Sequence, residues 1–173
     1  MKKLLTFILI LIIHSLPTFA SSPNGKGLIC QCVSIEKCPK KNNQFWDTYV
    51  LSDGTPSEIA ISFQNNVAIY YYIRIINDKV EFIKEELGAY NAKYRFFTTK
   101  GTIEWKTSKW NTTTIYRQTL SYISSNKYRD SSQNTTYYRK CKVYNKHKLL
   151  ENFNNLVNKY QKMHNESLKG NLI

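Results

Sequence analysis

Four cysteines, three histidines and a run of lysines and arginines interleaved with tyrosines are the residues here whose types and spacing suggest chemistry. Cys30, Cys32, Cys38 and Cys141 can pair in three ways. A four-thiolate zinc site is disfavoured, because Cys-x-Cys-x5-Cys does not match the usual Cys-x2–4-Cys spacing of metal knuckles. Cys30 and Cys32 are two residues apart, so on a strand they share a face and are poorly placed to bond to each other. One of them then reaches Cys38 across a short loop and the other reaches Cys141. The favoured pairing is Cys30–Cys141 with Cys32–Cys38. Closing the longer loop would constrain the unfolded chain by roughly 4–5 kcal/mol in the entropic model.

The inventory for catalysis is thin. His14 lies in the leader described below, and His147 and His164 sit about 25 Å apart along one helix, too far to share a site. There is no Gly-x-Ser-x-Gly elbow, no glycine-rich phosphate loop and no calcium-loop spacing around Asp47 or Asp53. Glu81 and Glu85 share a strand face about 13 Å apart, beyond the roughly 5–9.5 Å of paired glycosidase carboxylates. Adjacent Glu85 and Glu86 point to opposite faces. Glu104 lies between Ile103 and Trp105, so alternation sends it outward while they go inward. The expected protein is non-catalytic, with no metal and no cofactor.

Positive charge rises above background. Lys and Arg number 25 against 12 Asp and Glu, for a formal charge of +13. Residues 21–90 carry net −1 and residues 91–173 carry net +12. The densest run holds Lys127, Tyr128 and Arg129, then Tyr137, Tyr138, Arg139, Lys140, Lys142, Tyr144, Lys146 and Lys148. If Cys141 and Val143 point inward, Lys140 and Lys142 point outward with Tyr138 and Tyr144. Alternating cations and flat rings can grip a polyanion. The expected binding surface is Lys127, Arg129, Tyr138, Arg139, Lys140, Lys142 and Tyr144, with Lys37, Lys40 and Lys41 joining it if Cys38 is tied near Cys141. The plainer reading is an edge strand kept soluble by lysine.

The elements that must position these residues follow from periodicity. Lys2 and Lys3, the apolar run Leu4–Ile13 and the small residues Thr18 and Ala20 at the −3 and −1 positions make residues 1–20 a secretory signal, too short in its apolar part to span a bilayer. Residues 21–145 read as an antiparallel β domain. Ile59, Ile61 and Phe63 alternate with smaller or polar neighbours, Asn65-Asn66 and Asn77-Asp78 suit tight hairpins, and strand-like runs continue at Val67–Ile76, Val80–Leu87, Lys93–Thr98, Thr102–Lys106, Thr112–Arg117, Thr119–Ser124 and Thr136–Tyr144. Residues 146–169 change period. Leu149, Phe153, Leu156, Tyr160 and Met163 step by four and three, marking an amphipathic helix that docks on the β domain, with a self-association seam or a membrane surface as lesser uses of the same face. Asn145 can cap its start.

The expected fold class is mainly β: an antiparallel meander forming a small barrel or sandwich, with one C-terminal amphipathic helix. Its layout of eight or nine strands and a helix resembles that of the calycins. The resemblance ends there, because Gly25-Lys26-Gly27-Leu28 stands where a Gly-x-Trp signature would lie. The composition, 42% hydrophobic and 14% aromatic over 173 residues, excludes a disordered chain or a fibre. The functional expectation is an exported protein, secreted or periplasmic, that contacts an anionic envelope polymer or lipid head groups. Peripheral membrane contact is compatible with that expectation, and specific nucleic-acid binding is not part of it. The alternatives are a protein–protein module such as an inhibitor of a secreted enzyme, a lipocalin-like carrier of a small ligand, and a hydrolase. Asn111, Asn134 and Asn165 lie in Asn-x-Ser/Thr sequons, which matter in a glycosylating host.

Overall fold

The computed structural model describes residues 22–34, 36–38, 57–85, 95–97, 101–106, 111–126 and 135–170. The expected signal (residues 1–20), Lys40, Lys41, Lys127, Tyr128, Arg129 and Asn134 lie outside them. Nine strands are present among the described residues: β1 (Lys26–Cys32), β2 (Ile59–Gln64), β3 (Val67–Ile76), β4 (Lys79–Glu85), β5 (Arg95–Phe97), β6 (Thr102–Lys106), β7 (Asn111–Tyr116), β8 (Ser121–Asn126) and β9 (Thr135–Asn145). The helix α1 (Lys146–Gly170) follows.

All neighbours pair antiparallel, in the order β4-β3-β2-β1-β9-β8-β7-β6-β5. Two meanders, β1–β4 and β5–β9, are thus joined where the first strand meets the last. The sheet curls into a half-barrel whose edges are β4 and β5, and among the described residues these edges do not pair with each other. The expected mainly-β fold with a C-terminal helix is what forms.

Local sequence explains the hairpins. Asn65 and Asn66 (φ 50° and 62°) and Asn77 and Asp78 (φ 50° and 61°) occupy the left-handed region at both central turn positions. That conformation matches the right-handed twist of the flanking strands, and short Asn and Asp side chains tolerate it. One boundary differs from the periodicity. The eighth strand begins at Ser121 rather than Thr119, because Arg117–Leu120 form a turn in which Leu120 takes φ 50°. Its side chain packs on the core and its carbonyl accepts from the Cys141 amide at 2.9 Å, so a long-range contact holds the chain in the turn for longer than alternation implies.

The sheet buries both faces. Leu28, Ile61, Phe63, Tyr70, Trp105 and Ile115 belong to the cluster lining its concave side. On the opposite side, Ala60, Tyr71, Ile73 and Val80 meet Leu149, Phe153 and Tyr160 of the helix. This double burial is why β2 is buried at nearly every position, the small Ala60 and Ser62 as well as Ile59, Ile61 and Phe63. The helix stripe is therefore occupied by the sheet, as the docking expectation requires. Asn145 Oδ1 accepts from the Lys148 amide at 2.9 Å and caps the first turn. Gly27 lets the helix come close: a Cβ there would strike the Leu149 methyls and lie 3.0 Å from the Ile61 carbonyl oxygen.

Both disulfides form in the favoured pairing. Cys30–Cys141 bridges directly opposed positions of β1 and β9, and Cys32–Cys38 closes a short loop. No cysteine is free.

Candidate functional site

The last strand carries the candidate surface, and its period of two sorts the residues. Cys141 and Val143 face the concave core. Lys140 and Lys142 are exposed on the opposite face, where Tyr138 is exposed and Tyr144 is half-buried beside the helix.

Arg139 does not share that surface. It has the parity of Cys141, is 7% exposed and donates from Nη1 to the Ser57 carbonyl at 3.1 Å. Placing it among the outward cations follows the local run of charge and ignores alternation. Burial pulls its guanidinium below the ordinary arginine value, offset in part by Tyr122, Tyr137, Glu58 and Tyr70.

The short disulfide loop brings a further cation to the outer face. The Val33 amide donates to the Tyr138 carbonyl at 3.2 Å and the Tyr138 amide to the Lys37 carbonyl at 2.9 Å, so the loop continues the sheet pairing. Lys37 Nζ then lies 5.4 Å from the centre of the Tyr138 ring. The expected tie between the neighbourhoods of Cys38 and Cys141 holds for Lys37.

Between β1, β9 and the helix lies an open cleft of about 480 Å³. Lys140 and Lys142 line it from the strand and Lys159 lines it from the helix. Lys140 Nζ donates to the Thr119 carbonyl at 2.8 Å and to Ser121 Oγ at 3.4 Å, which ties the ammonium toward β8. Lys159 Nζ lies 5.9 Å from the Tyr160 ring centre. Lys142 makes no hydrogen bond or ion pair among the described residues. Glu58 and Gln31 enter from β2's approach and β1, while Asn152 and Asn155 enter from the helix. Ile29, Leu156 and Tyr144 supply apolar surface. Three lysines and one glutamate lining a cleft with a low-dielectric wall attract anions more strongly than the same charges spread over a convex surface.

Glu58, Gln31 and Asn155 carry no local signal in the sequence. They acquire meaning only when the β1–β9 pairing and the helix packing set them beside the lysines. Lys159 is foreshadowed by its place on the helix's polar side.

On the concave side Tyr70 is buried in a hydrogen-bonded cluster. Its hydroxyl accepts from Trp105 Nε1 at 3.0 Å, donates to Thr113 Oγ1 at 3.3 Å and lies 3.5 Å from the Tyr122 hydroxyl. Thr113 passes the chain on to Ser124, which reaches Asn111. Burial, then the nearby Tyr122, raises the Tyr70 phenol well above its ordinary value of 10.0. Elsewhere, His147 is exposed and His164 Nε2 stands 3.7 Å from Asp78 Oδ1. Glu104 accepts from the Thr102 hydroxyl at 3.2 Å. Among the described residues no three His, Cys, Asp or Glu side chains gather as a metal site, and no helix is long and apolar enough to cross a membrane.

The chain matches no family model, no curated protein and no solved structure.

Proposed function

We propose that this is an exported, non-catalytic binding module that holds anionic envelope material in the cleft between β9 and α1. The observation that carries the reading is the convergence of Lys140, Lys142 and Lys159 from two elements on one open cleft. Lys37 and Tyr138 extend the same cationic face beyond it. The leader-like first twenty residues and the two disulfides support an oxidising destination outside the cytoplasm. The buried, hydrogen-bonded cluster around Tyr70 weighs against a small-ligand carrier.

A second reading, a protein–protein module, draws on Ile75, Ile76 and Phe82, apolar side chains exposed on the β3–β4 hairpin. It ranks lower because Phe82 already packs against Tyr71 and Phe153.

The test is retention on an anionic resin and on phosphatidylglycerol vesicles across a salt series. Lys142→Ala with Lys159→Ala should elute at clearly lower salt than the charge-matched control Lys106→Ala with Lys169→Ala, both of whose residues are exposed away from the cleft. Retention should fade by a few hundred millimolar salt, on the order of the concentration at which screening shortens to a few ångströms. Absence of retention at low salt, or equal elution of the two double variants, would end the proposal.

A further inference from the structure

The cleft's lining is not that of a plain polyanion trap, and we infer that its ligand is an acidic saccharide, a sugar chain bearing carboxylate or similar anionic groups among free hydroxyls. The inference rests on the binding role proposed above and narrows it.

Charge alone does not account for the cleft. Alongside Lys140, Lys142 and Lys159, Glu58 places a carboxylate in the lining. Its Oε2 is enclosed, without a hydrogen-bond partner among the described residues and closed to a ligand, so the half-buried carboxylate meets the cleft through Oε1. An unbroken row of phosphates offers that carboxylate only repulsion. A hydroxyl donor offers it a charge-assisted hydrogen bond.

The neutral polar groups point the same way. Gln31 and Asn155 carry amides with no hydrogen bond among the described residues, and each presents two donors and an acceptor. Asn152 donates through Nδ2 to the Lys148 carbonyl at 2.7 Å, which leaves its Oδ1 as an acceptor. Mixed donor and acceptor amides complement vicinal hydroxyls, which both give and receive. The apolar portions of Ile29, Leu156 and Tyr144 then meet the C–H faces of sugar rings, and the lysines hold the acidic substituents. A bare phosphate group would use the lysines but leave the amides and Glu58 unmatched. The cleft therefore combines three recognitions that only a hydroxylated anion satisfies together.

Calorimetry on the folded, disulfide-bonded protein tests this with three probes: a short oligogalacturonate, a linear polyphosphate matched to it in charge, and a neutral malto-oligosaccharide of the same length. Oligogalacturonate should bind roughly tenfold or more tightly than polyphosphate at physiological salt, and the neutral chain should bind weakly. Glu58→Gln should narrow the gap by strengthening polyphosphate binding. Gln31→Ala with Asn155→Ala should weaken oligogalacturonate several-fold and leave polyphosphate unchanged. Circular dichroism of each variant confirms that the fold is retained. Polyphosphate binding as tightly as oligogalacturonate would overturn the saccharide inference and leave the anion-binding role standing. A neutral chain that matches the acidic one, or saccharide binding that ignores all three residues, would overturn it in the same way. If neither anion binds at low salt, the inference and the proposed function fall together.

Discussion

Cys30 and Cys141 stand directly opposite each other on β1 and β9, their Cα atoms 4.0 Å apart, and the bond between them locks the seam at which the two meanders meet. The seam also positions the cleft, because Gln31 and Lys140 are themselves paired next to the bridge and Ile29 pairs with Lys142 on its other side.

Removing that bridge should be expensive. The bond spans a sequence separation of 111, and Cys30→Ala with Cys141→Ala should lower unfolding free energy by about 4–5 kcal/mol in the loop-entropy account. Removing Cys32–Cys38, with a separation of 6, should lower it by about 2 kcal/mol on the same formula. Urea unfolding of the two double variants under oxidising conditions gives the comparison, and equal losses would show that loop length does not govern the effect.

Arg139 and Lys142 should behave oppositely although they lie three residues apart. Arg139 is buried and supports the Ser57 carbonyl, so Arg139→Ala should destabilise by about 1–3 kcal/mol and leave anion retention intact once folded. Lys142 is exposed, so Lys142→Ala should leave the unfolding free energy within about 0.5 kcal/mol of wild type and reduce retention. Parallel denaturation and salt-elution curves would show the crossing.

Gly27→Ala should cost about 1–3 kcal/mol, because the added methyl strikes Leu149 and crowds the Ile61 carbonyl. Leu149→Ala should itself destabilise by about 2–5 kcal/mol, since Leu149 is fully buried. The double variant should then lose less than the sum, as the second change makes room for the first. Strict additivity in a double-mutant cycle would mean that the helix does not press on Gly27.

Alkaline stability should depend on Tyr70. Its phenol is held protonated in the folded state well above 10.0, whereas the unfolded chain releases that proton near the ordinary value. Its contribution is therefore complete below about pH 10 and is lost as pH rises from there toward the folded value. Chemical denaturation from about pH 8 to about 11.5 should show a decline that Tyr70→Phe makes shallower, even though that variant starts less stable through loss of the Trp105 and Thr113 hydrogen bonds. An unchanged slope would remove Tyr70 from the account.

Much of the architecture was legible because it is local. Positive-φ asparagines wrote the β2–β3 and β3–β4 hairpins, the three-and-four spacing of Leu149, Phe153, Leu156 and Tyr160 wrote the helix, and Cys30 and Cys32 on one strand face limited the disulfide pairing. Period-two alternation also set Lys140 and Lys142 opposite Cys141. The same rule applied fully turns Arg139 inward.

Which strands adjoin, and therefore which side chains meet, was decided only in three dimensions. Chain order does not state that β1 pairs with β9, that the helix returns over β1 through the opening left by Gly27, or that Glu58 and Lys159, about a hundred residues apart, line one cleft. Turns and faces follow from dihedral preference and periodicity within a few residues. Long-range pairing instead depends on which surfaces bury the most apolar area together, a property of the whole sheet and helix rather than of any segment.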